Sequence, residues 1–194
     1  MSDEMPDLGD RTRRLSAVGV ELLRPWPLDD AVVTPPDVAW SASACGRESG
    51  RIDHAFDDTD ADRIAKGNAA WLAAAERFAL FDAAGTFLLS VATDTDDDPR
   101  SWWFQARVTG GWDLIGRGAE ARVLGHGWGV PAFVTHSADG NVLIAASAYE
   151  TCFSVFVVPA PSRASVLRRS AAQLLDATPR PSDRRSGISR WLGL

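Results

Sequence analysis

Two short turns of the same chemical type lie within the stretch from Arg77 to Pro159, and they constrain the fold more than any other feature. The first is Asp-Ala-Ala-Gly at 82–85, and the second is Ser-Ala-Asp-Gly at 137–140. Asp or Ser at the first position with Gly at the fourth is typical of a type I turn that joins antiparallel strands. Either a duplicated hairpin or two uses of a common turn explains the likeness. The predicted strand pairs are 78–81 with 87–91 and 133–136 with 142–145.

A third hairpin is predicted around the Thr-Gly-Gly loop at 109–111. A three-residue loop fixes the pairing register of its flanking strands, here 101–108 and 112–117. That register places Arg107 opposite Asp113 on one face. The opposite face then collects apolar side chains, namely Trp102, Phe104, Ala106, Val108, Trp112 and Leu114.

Two further strands are predicted at 141–148 and 151–158. The second is apolar on nearly both faces, which indicates a strand covered on both sides. A helix is predicted before the sheet at 60–78, with Thr59 and Asp62 resembling a capping box. Another is predicted from Ser162, as its cap, to Ala177.

The N-terminal part of the chain has both helix and strand signals. Residues 11–24 favour a helix, with a strand as the alternative, and Pro25 ends either one. Residues 25–57 are predicted to wrap over the core, with short strand-like pieces at 31–33 and 38–40, because Trp26 and Trp40 are unusual in a disordered linker.

These elements predict an α+β fold. The expected architecture is a single antiparallel, mostly meandering sheet of about seven strands, flanked by a preceding helix and a C-terminal helix. The predicted organisation is a disordered N-terminus at 1–10, one domain at 11–178, and a basic tail at 179–194 that ends in a short apolar motif.

Charge is spread unevenly along the chain. The net charge is −6, but the acidic residues concentrate in the first half and the basic residues in the second. The overall acidity argues against nucleic-acid binding. No apolar run is long enough to cross a bilayer, and the N-terminus lacks the apolar core of a signal peptide. A cytoplasmic protein with reduced cysteines is therefore expected. Lys66 is the only lysine, which suggests an arginine-favouring, high-GC genome such as an actinobacterial one.

An aromatic ligand pocket is predicted around Trp103, Trp112, Trp128 and His126. The glycines that flank His126 and Trp128 let a backbone approach a ligand closely, and Trp supplies a flat wall. A glycine-rich turn with one buried Trp is the alternative explanation. His136, beside an apolar face at the end of a strand, is expected to be a packed core residue.

Metal and catalytic motifs are weak. Aspartates at 58, 60 and 62, and again at 94, 96 and 98, begin like a calcium loop but lack its glycine and its final glutamate, so no metal and no cofactor is predicted. Cys152 with a histidine could form a thiolate pair, yet no nucleophile motif surrounds it. A buried cysteine acting as a small apolar residue is the simpler interpretation.

The C-terminal tail is the predicted site for a protein partner. Its candidate contacts are Ile188, Arg190, Trp191, Leu192 and Leu194, at helical spacing. With the arginines before them they could also touch an anionic membrane surface weakly. The alternative is that the tail folds back on its own domain.

Three functions follow from these candidates, in this order of preference. The first is a non-enzymatic binding or accessory module that acts on a protein partner through the tail or the Trp103 face. The second is a small-ligand or lipid-binding sheet with an aromatic pocket. The third is a hydrolase-like enzyme that uses Cys152 and a histidine.

Overall fold

The computed structural model describes residues 8–92, 101–126, 129–178 and 182–194. The strands are β1 (Val20–Pro25), β2 (Ile52–Asp57), β3 (Phe87–Ala92), β4 (Ser101–Val108), β5 (Gly125–His126), β6 (Val130–Pro131), β7 (Phe133–His136), β8 (Val142–Ala148) and β9 (Cys152–Pro159). The α-helices are α1 (Gly9–Ala17), α2 (Pro36–Ala39), α3 (Arg63–Arg77), α4 (Arg117–Glu120), α5 (Ser165–Ala177) and α6 (Asp183–Leu192). Short 3-10 helices span Trp40–Ala44, Arg47–Ser49 and Pro161–Arg163.

Within these ranges, seven strands form one open antiparallel sheet in the order β1-β4-β3-β7-β8-β9-β2, and β5 pairs only with β6. The predicted fold class is confirmed: an α+β fold with one seven-stranded antiparallel sheet and helices at both ends of the chain. The neighbours β3-β4 and β7-β8-β9 are consecutive in sequence, whereas β1 and β2 are inserted at the edges by long connections.

Helices cover both faces of the sheet. In β9, Val155 and Val157 face a core built with α1 and α3, and Phe156 and Val158 face a second core built with α2, α5 and α6. Because side chains alternate along a strand, a strand buried on both faces must be apolar throughout. This confirms the prediction that the strand 151–158 is covered on both sides.

The second predicted hairpin is confirmed. β7 pairs with β8 so that His136 lies opposite Leu143. The turn closes through the Gly140 N–H, which donates to the Ser137 carbonyl at 3.1 Å, and Gly140 has a positive φ of 77°. The Ser137 hydroxyl accepts the Asn141 N–H at 3.1 Å, as expected for a short polar side chain at the first turn position.

The first predicted hairpin is only half right. The turn forms, with the Gly85 N–H donating to the Asp82 carbonyl at 2.9 Å. The preceding segment 78–81 is not a strand, because α3 continues to Arg77 and Ala79 then takes a left-handed conformation with φ 54°. The turn therefore links the end of a helix to β3.

The predicted middle hairpin is wrong. β4 pairs with β1 and β3, and Arg107 lies opposite Glu21 rather than Asp113. After β4 the chain follows the loop before β1, where the Thr109 N–H donates to the Gly19 carbonyl at 2.9 Å. The prediction that these apolar side chains share one face is confirmed. The core on the α3 side contains Trp102, Phe104, Ala106 and Leu114.

Asp113 instead organises the turn that leads into α4. Its carboxylate accepts the Gly116 N–H at 2.8 Å, the Arg117 N–H at 3.0 Å and the Asn68 amide at 2.7 Å. Burial opposes ionisation, but these hydrogen bonds prevail and lower the pKa of Asp113 below its ordinary value. Asp113 thus caps the turn into α4, whereas the predicted hairpin paired it with Arg107 across two strands.

The N-terminal region combines both alternatives for residues 11–24. α1 ends at Ala17, Gly19 turns the chain with φ 82°, and β1 follows. The wrap over the core is confirmed, since Trp26 and Trp40 both pack against it. The predicted strand at 38–40 is wrong, because Pro36 begins α2 there, and β2 was not predicted at all.

The two long helices lie close to their predicted positions, but their caps differ. α3 begins at Arg63 without a side-chain cap, because Thr59 donates to Asp57 in a separate turn. α5 begins at Ser165, and Ser162 lies in the preceding 3-10 helix. Leu167 and Ala171 form the buried stripe of α5, as predicted.

Candidate functional site

A concave site lies beside the indole of Trp40, on the sheet face covered by α2, α5 and α6. Two neighbouring cavities, of about 270 and 150 Å³, both have Trp40 and Ala132 in their walls. The larger cavity is lined by Arg11, Trp40, Ser90, Ala92, Arg122, Val123, Gly125 and Ala132. The smaller is lined by Ala39, Trp40, Ala42, Ser43, Ala132, Val134, Ala145, Ala146, Ser147 and Phe156.

Small side chains create this space, which we call the Trp40 cleft. Ala132 lies between β6 and β7, and Ala145 and Ala146 lie on β8, where larger apolar residues would fill the gap between the sheet and the 3-10 helix that begins at Trp40. Interiors otherwise pack at near-crystalline density, so a cavity of this size next to an aromatic wall suits a small ligand.

Trp40 is held by two serines from separate strands. Its Nε1–H points at Ser90 Oγ, 3.2 Å away on β3, and at Ser101 Oγ, 3.0 Å away at the start of β4. Both serines are buried. Pro36 at the first turn of α2 fixes the approach of this segment to the sheet. The indole is therefore an oriented wall.

The C-terminal helix contributes to the same arrangement. Arg184 of α6 forms an ion pair with Asp37 of α2, and the side chains are only 11% and 21% exposed. Asp37 also accepts the Ser101 N–H at 2.9 Å, and Arg184 donates to the Ser101 carbonyl at 3.2 Å. Docking of α6 thus fixes Ser101, which in turn binds Trp40.

Two arginines, Arg11 and Arg122, lie among the described residues at the mouth of the larger cavity. Arg11 donates to the Ala92 carbonyl, which holds its guanidinium at the rim. Arg122 is exposed, and its guanidinium has no hydrogen bond or ion pair with any described residue. Among the described residues lining this cavity there is no carboxylate. Such a rim favours a ligand with a negative charge.

Arg122 is also held in a left-handed conformation, with φ 56°. A non-glycine residue there costs on the order of 1 kcal/mol, and such residues are frequent at ligand-binding sites. Its neighbours in α4 impose the conformation, since the Arg122 N–H donates to the Ala119 carbonyl at 2.9 Å.

The structure does not bring the predicted pocket residues together. Trp103 is 3% exposed, and its Nε1–H donates to the Thr34 carbonyl at 2.7 Å. Trp112 is half-buried against Trp71 on the opposite sheet face, with ring centroids 5.5 Å apart. The backbone of His126 lies in β5 beside Gly125, which lines the Trp40 cleft, whereas Trp128 lies outside the described residues.

His136 is a packed core histidine, as predicted. Its Nδ1 lies 2.9 Å from the Ser137 carbonyl and its Nε2 lies 3.0 Å from Thr34 Oγ1. Complete burial lowers the pKa of His136 to about 4, so the ring is neutral at pH 7. Since both nitrogens are engaged, His136 has no free position for acid–base work or for pairing with a thiol.

Among the described residues, the cysteines and aspartates do not assemble into a catalytic or metal site. Cys152, the first residue of β9, lies opposite Asp57, the last residue of β2. Burial raises the pKa of the Cys45 thiol, which makes its thiolate less accessible. Asp60 binds Lys66 at 2.6 Å. Within the described ranges no three potential metal ligands come together, and the aspartates at 94, 96 and 98 lie outside those ranges.

The predicted partner-binding tail forms α6, which packs against the domain. Ile188 is fully buried, Trp191 is 5% exposed, and Leu192 is partly buried. Arg190 binds Asp29 at 2.9 Å, and Leu194 is 79% exposed. Gly187 allows the close approach, since a Cβ there would lie 2.0 Å from the Leu28 carbonyl oxygen.

Sequence reasoning missed Trp40, Ser90, Ser101, Ala132 and Arg122 as a group. Trp40 was expected to be ordered, but nothing local signals its neighbours, which lie 50 and 61 positions further along the chain. A lone arginine in the glycine-rich connection carries no motif either.

Comparisons with known proteins do not assign the chain to a family. No protein-family model matches the chain, and neither the curated proteins nor the solved structures contain a match. Within the described ranges, each helix falls short of the length and apolar character that crossing a membrane requires.

Proposed function

We propose that this chain is a non-enzymatic binding protein that holds a small amphipathic anion, such as a medium-chain carboxylate, in the Trp40 cleft. The observation that carries this proposal is the combination of an apolar cavity, an oriented indole wall and a rim bearing Arg11 and Arg122. The ligand's apolar chain would lie against Trp40 and the alanines, and its charged group would meet the Arg122 guanidinium.

Electrostatics and geometry both support an anion. Arg presents several N–H donors in a planar fork that matches a carboxylate. The apolar part gains from burial, at about 25 cal/mol for each Å² removed from water. The larger cavity, of about 270 Å³, suits a chain of about eight carbons.

The lining favours binding over catalysis. A nucleophilic serine needs a base within hydrogen-bond reach. Ser90 is the serine in the larger cavity, and its hydroxyl accepts from Trp40, while no histidine or carboxylate is among the described lining residues.

Binding through the C-terminal segment, the first expectation from sequence, has less support from this geometry. Ile188 and Trp191 are buried, so a partner could use them only after α6 undocks. The arginines at 184, 185 and 190 all bind groups within the domain. Arg184 of this segment instead helps to position Trp40.

Calorimetric titration with octanoate, octanol and octylammonium tests the proposal. These probes share a chain and differ in charge. We expect octanoate to bind at least tenfold more tightly than octanol, and octylammonium to bind most weakly, because only the carboxylate gains from Arg122.

Three variants locate the site. Ala132→Leu fills the wall shared by both cavities and should abolish octanoate binding. Arg122→Gln should lower the affinity for octanoate to that for octanol, and leave octanol binding unchanged. Arg169→Gln, an exposed arginine on α5 that lines neither cavity, is the matched control and should change nothing. If octanoate and octanol bind equally, or Ala132→Leu binds like the native chain, the proposal is wrong.

A further inference from the structure

The outer edge of β2 is regular and accessible, unlike the opposite edge of the sheet. All six residues of β2 pair with β9 without a bulge, and no described strand pairs with its other side. At the other edge, β1 carries an irregularity between Leu22 and Arg24 and ends at Pro25. Bulges and prolines protect an edge from further pairing, and β2 has neither.

The hydrogen-bond pattern shows which main-chain groups of β2 face outward. Asp58 extends the same register, and its N–H donates to the Thr151 carbonyl at 3.0 Å. Main-chain groups of successive strand residues point to alternate sides. Residues 52, 54 and 56 therefore bond to β9, and the N–H and C=O groups of Asp53 and Ala55 point away from the sheet.

The charge at this edge is acidic. Residues 52–62 contain five aspartates and no lysine or arginine. Arg51 neutralises Asp53 at 2.5 Å, and Lys66 binds Asp60 at 2.6 Å. Asp57 and Asp58 remain exposed, with Arg63 approaching Asp58 only to 3.8 Å. A second copy of β2 would place like charges together, which disfavours pairing between two copies of this chain.

We propose that β2 is a docking edge for an extended basic segment of another protein, which adds to the sheet as an eighth strand. The partner's main chain would pair with Asp53 and Ala55, and its basic side chains would lie near Asp57 and Asp58. Strand addition takes affinity from main-chain hydrogen bonds and specificity from alternating side chains. This edge lies on a different element from the Trp40 cleft, so the two proposals can fail separately.

A synthetic peptide in which lysine alternates with threonine is the probe, and one in which glutamate alternates with threonine is its control. In amide NMR spectra of the native chain, the lysine peptide should shift the resonances of Asp53, Ala55 and Asp57 and slow the hydrogen exchange of the Ala55 amide. The glutamate peptide should do neither.

Variants at Ala55 isolate the main-chain contact. Ala55→Pro removes an outward N–H without touching the ladder to β9 and should weaken peptide binding at least tenfold. Ala55→Val keeps that N–H and favours a strand, so it should bind like the native chain. Asp58→Asn should weaken binding severalfold and reduce its dependence on salt.

Several results would overturn the proposal. Equal binding of the lysine peptide to Ala55→Pro and Ala55→Val would show that the edge is not used. Equal binding of both peptides would remove the charge complementarity. If the native chain dimerises in solution and Ala55→Pro makes it monomeric, the occupant is a second copy, contrary to the proposal.

Discussion

The Nε2 atom of His136 and the Oγ1 atom of Thr34 lie 3.0 Å apart in the interior of the protein. Thr34 belongs to the segment that wraps over the sheet, and its carbonyl accepts the Trp103 Nε1–H at 2.7 Å. The Thr34 N–H also donates to His136 Nε2 at 3.4 Å, so residues of β4 and β7 bind the N–H, carbonyl and hydroxyl groups of one threonine. The contact fastens the wrap to the sheet and requires a neutral imidazole, because a buried charge without a counter-ion is costly.

This contact predicts a loss of stability in mild acid. The folded pKa of His136 is about 4 and the unfolded value is about 6.5, so the unfolded chain binds the proton first as pH falls. The free energy of unfolding should therefore fall from pH 6.5 towards pH 4, by about 2 kcal/mol between pH 7 and pH 5. Urea unfolding at a series of pH values measures this.

The variant His136→Gln gives the comparison for the acid effect. It keeps a polar side chain but cannot titrate, so it should be less stable at pH 7 and show a flatter pH dependence. Equal slopes for the native chain and His136→Gln between pH 7 and pH 5 would mean that another group causes the acid sensitivity.

The docking of α6 predicts a steric effect at Gly187. A Cβ at this position would meet the Leu28 carbonyl at 2.0 Å, which is backbone and cannot rotate away. Gly187→Ala should lower the free energy of unfolding by about 1–3 kcal/mol and expose Trp191. Ser186→Ala, at the exposed neighbouring position, is the control and should be nearly neutral. Unchanged stability in Gly187→Ala would show that α6 does not dock in this position.

The ion pair between Arg184 and Asp37 predicts a link between α6 and the Trp40 cleft. Arg184→Gln leaves the largely buried Asp37 without its ion-pair partner. This change should lower the free energy of unfolding by about 2–3 kcal/mol. The NMR resonance of the Trp40 indole N–H should shift, because Ser101 loses its support.

Arg190→Gln is the matched comparison for Arg184→Gln. It breaks an exposed pair with Asp29 and should cost less than about 1 kcal/mol, with no effect on Trp40. An identical Trp40 resonance in native chain and Arg184→Gln would argue that the cleft is independent of α6.

The strand order predicts which charged residues are energetically coupled. Arg107 binds Glu21 at 2.7 Å on the exposed surface. A double-mutant cycle between these two residues should therefore give a coupling energy of about 0.5 kcal/mol. The cycle between Arg107 and Asp113 should give a coupling energy of zero, because these two residues are not paired. A single Asp113→Ala change should cost about 1–2 kcal/mol, because it removes the acceptor for two backbone N–H groups at the start of α4. Coupling between Arg107 and Asp113 would contradict the strand order.

The sequence by itself determined the parts of this protein that depend on local chemistry. Asp82 and Ser137 form the two turns because a short polar side chain bonds the nearby backbone wherever the chain reverses. The alternation of apolar residues set which face each strand buries, so Trp102 and Phe104 were assigned to one core correctly even though their partner strand was not.

Only the tertiary structure decided which strands are neighbours and where the candidate site lies. β1 displaced the predicted partner of β4 because pairing between distant segments depends on the whole core, and no local pattern records it. Trp40 meets Ser90 and Ser101 for the same reason, since three separate elements must pack before the cleft exists. The sequence of the tail fitted a free partner-binding peptide and a docked helix equally well. The structure shows the docked helix, in which Gly187 approaches Leu28 closely.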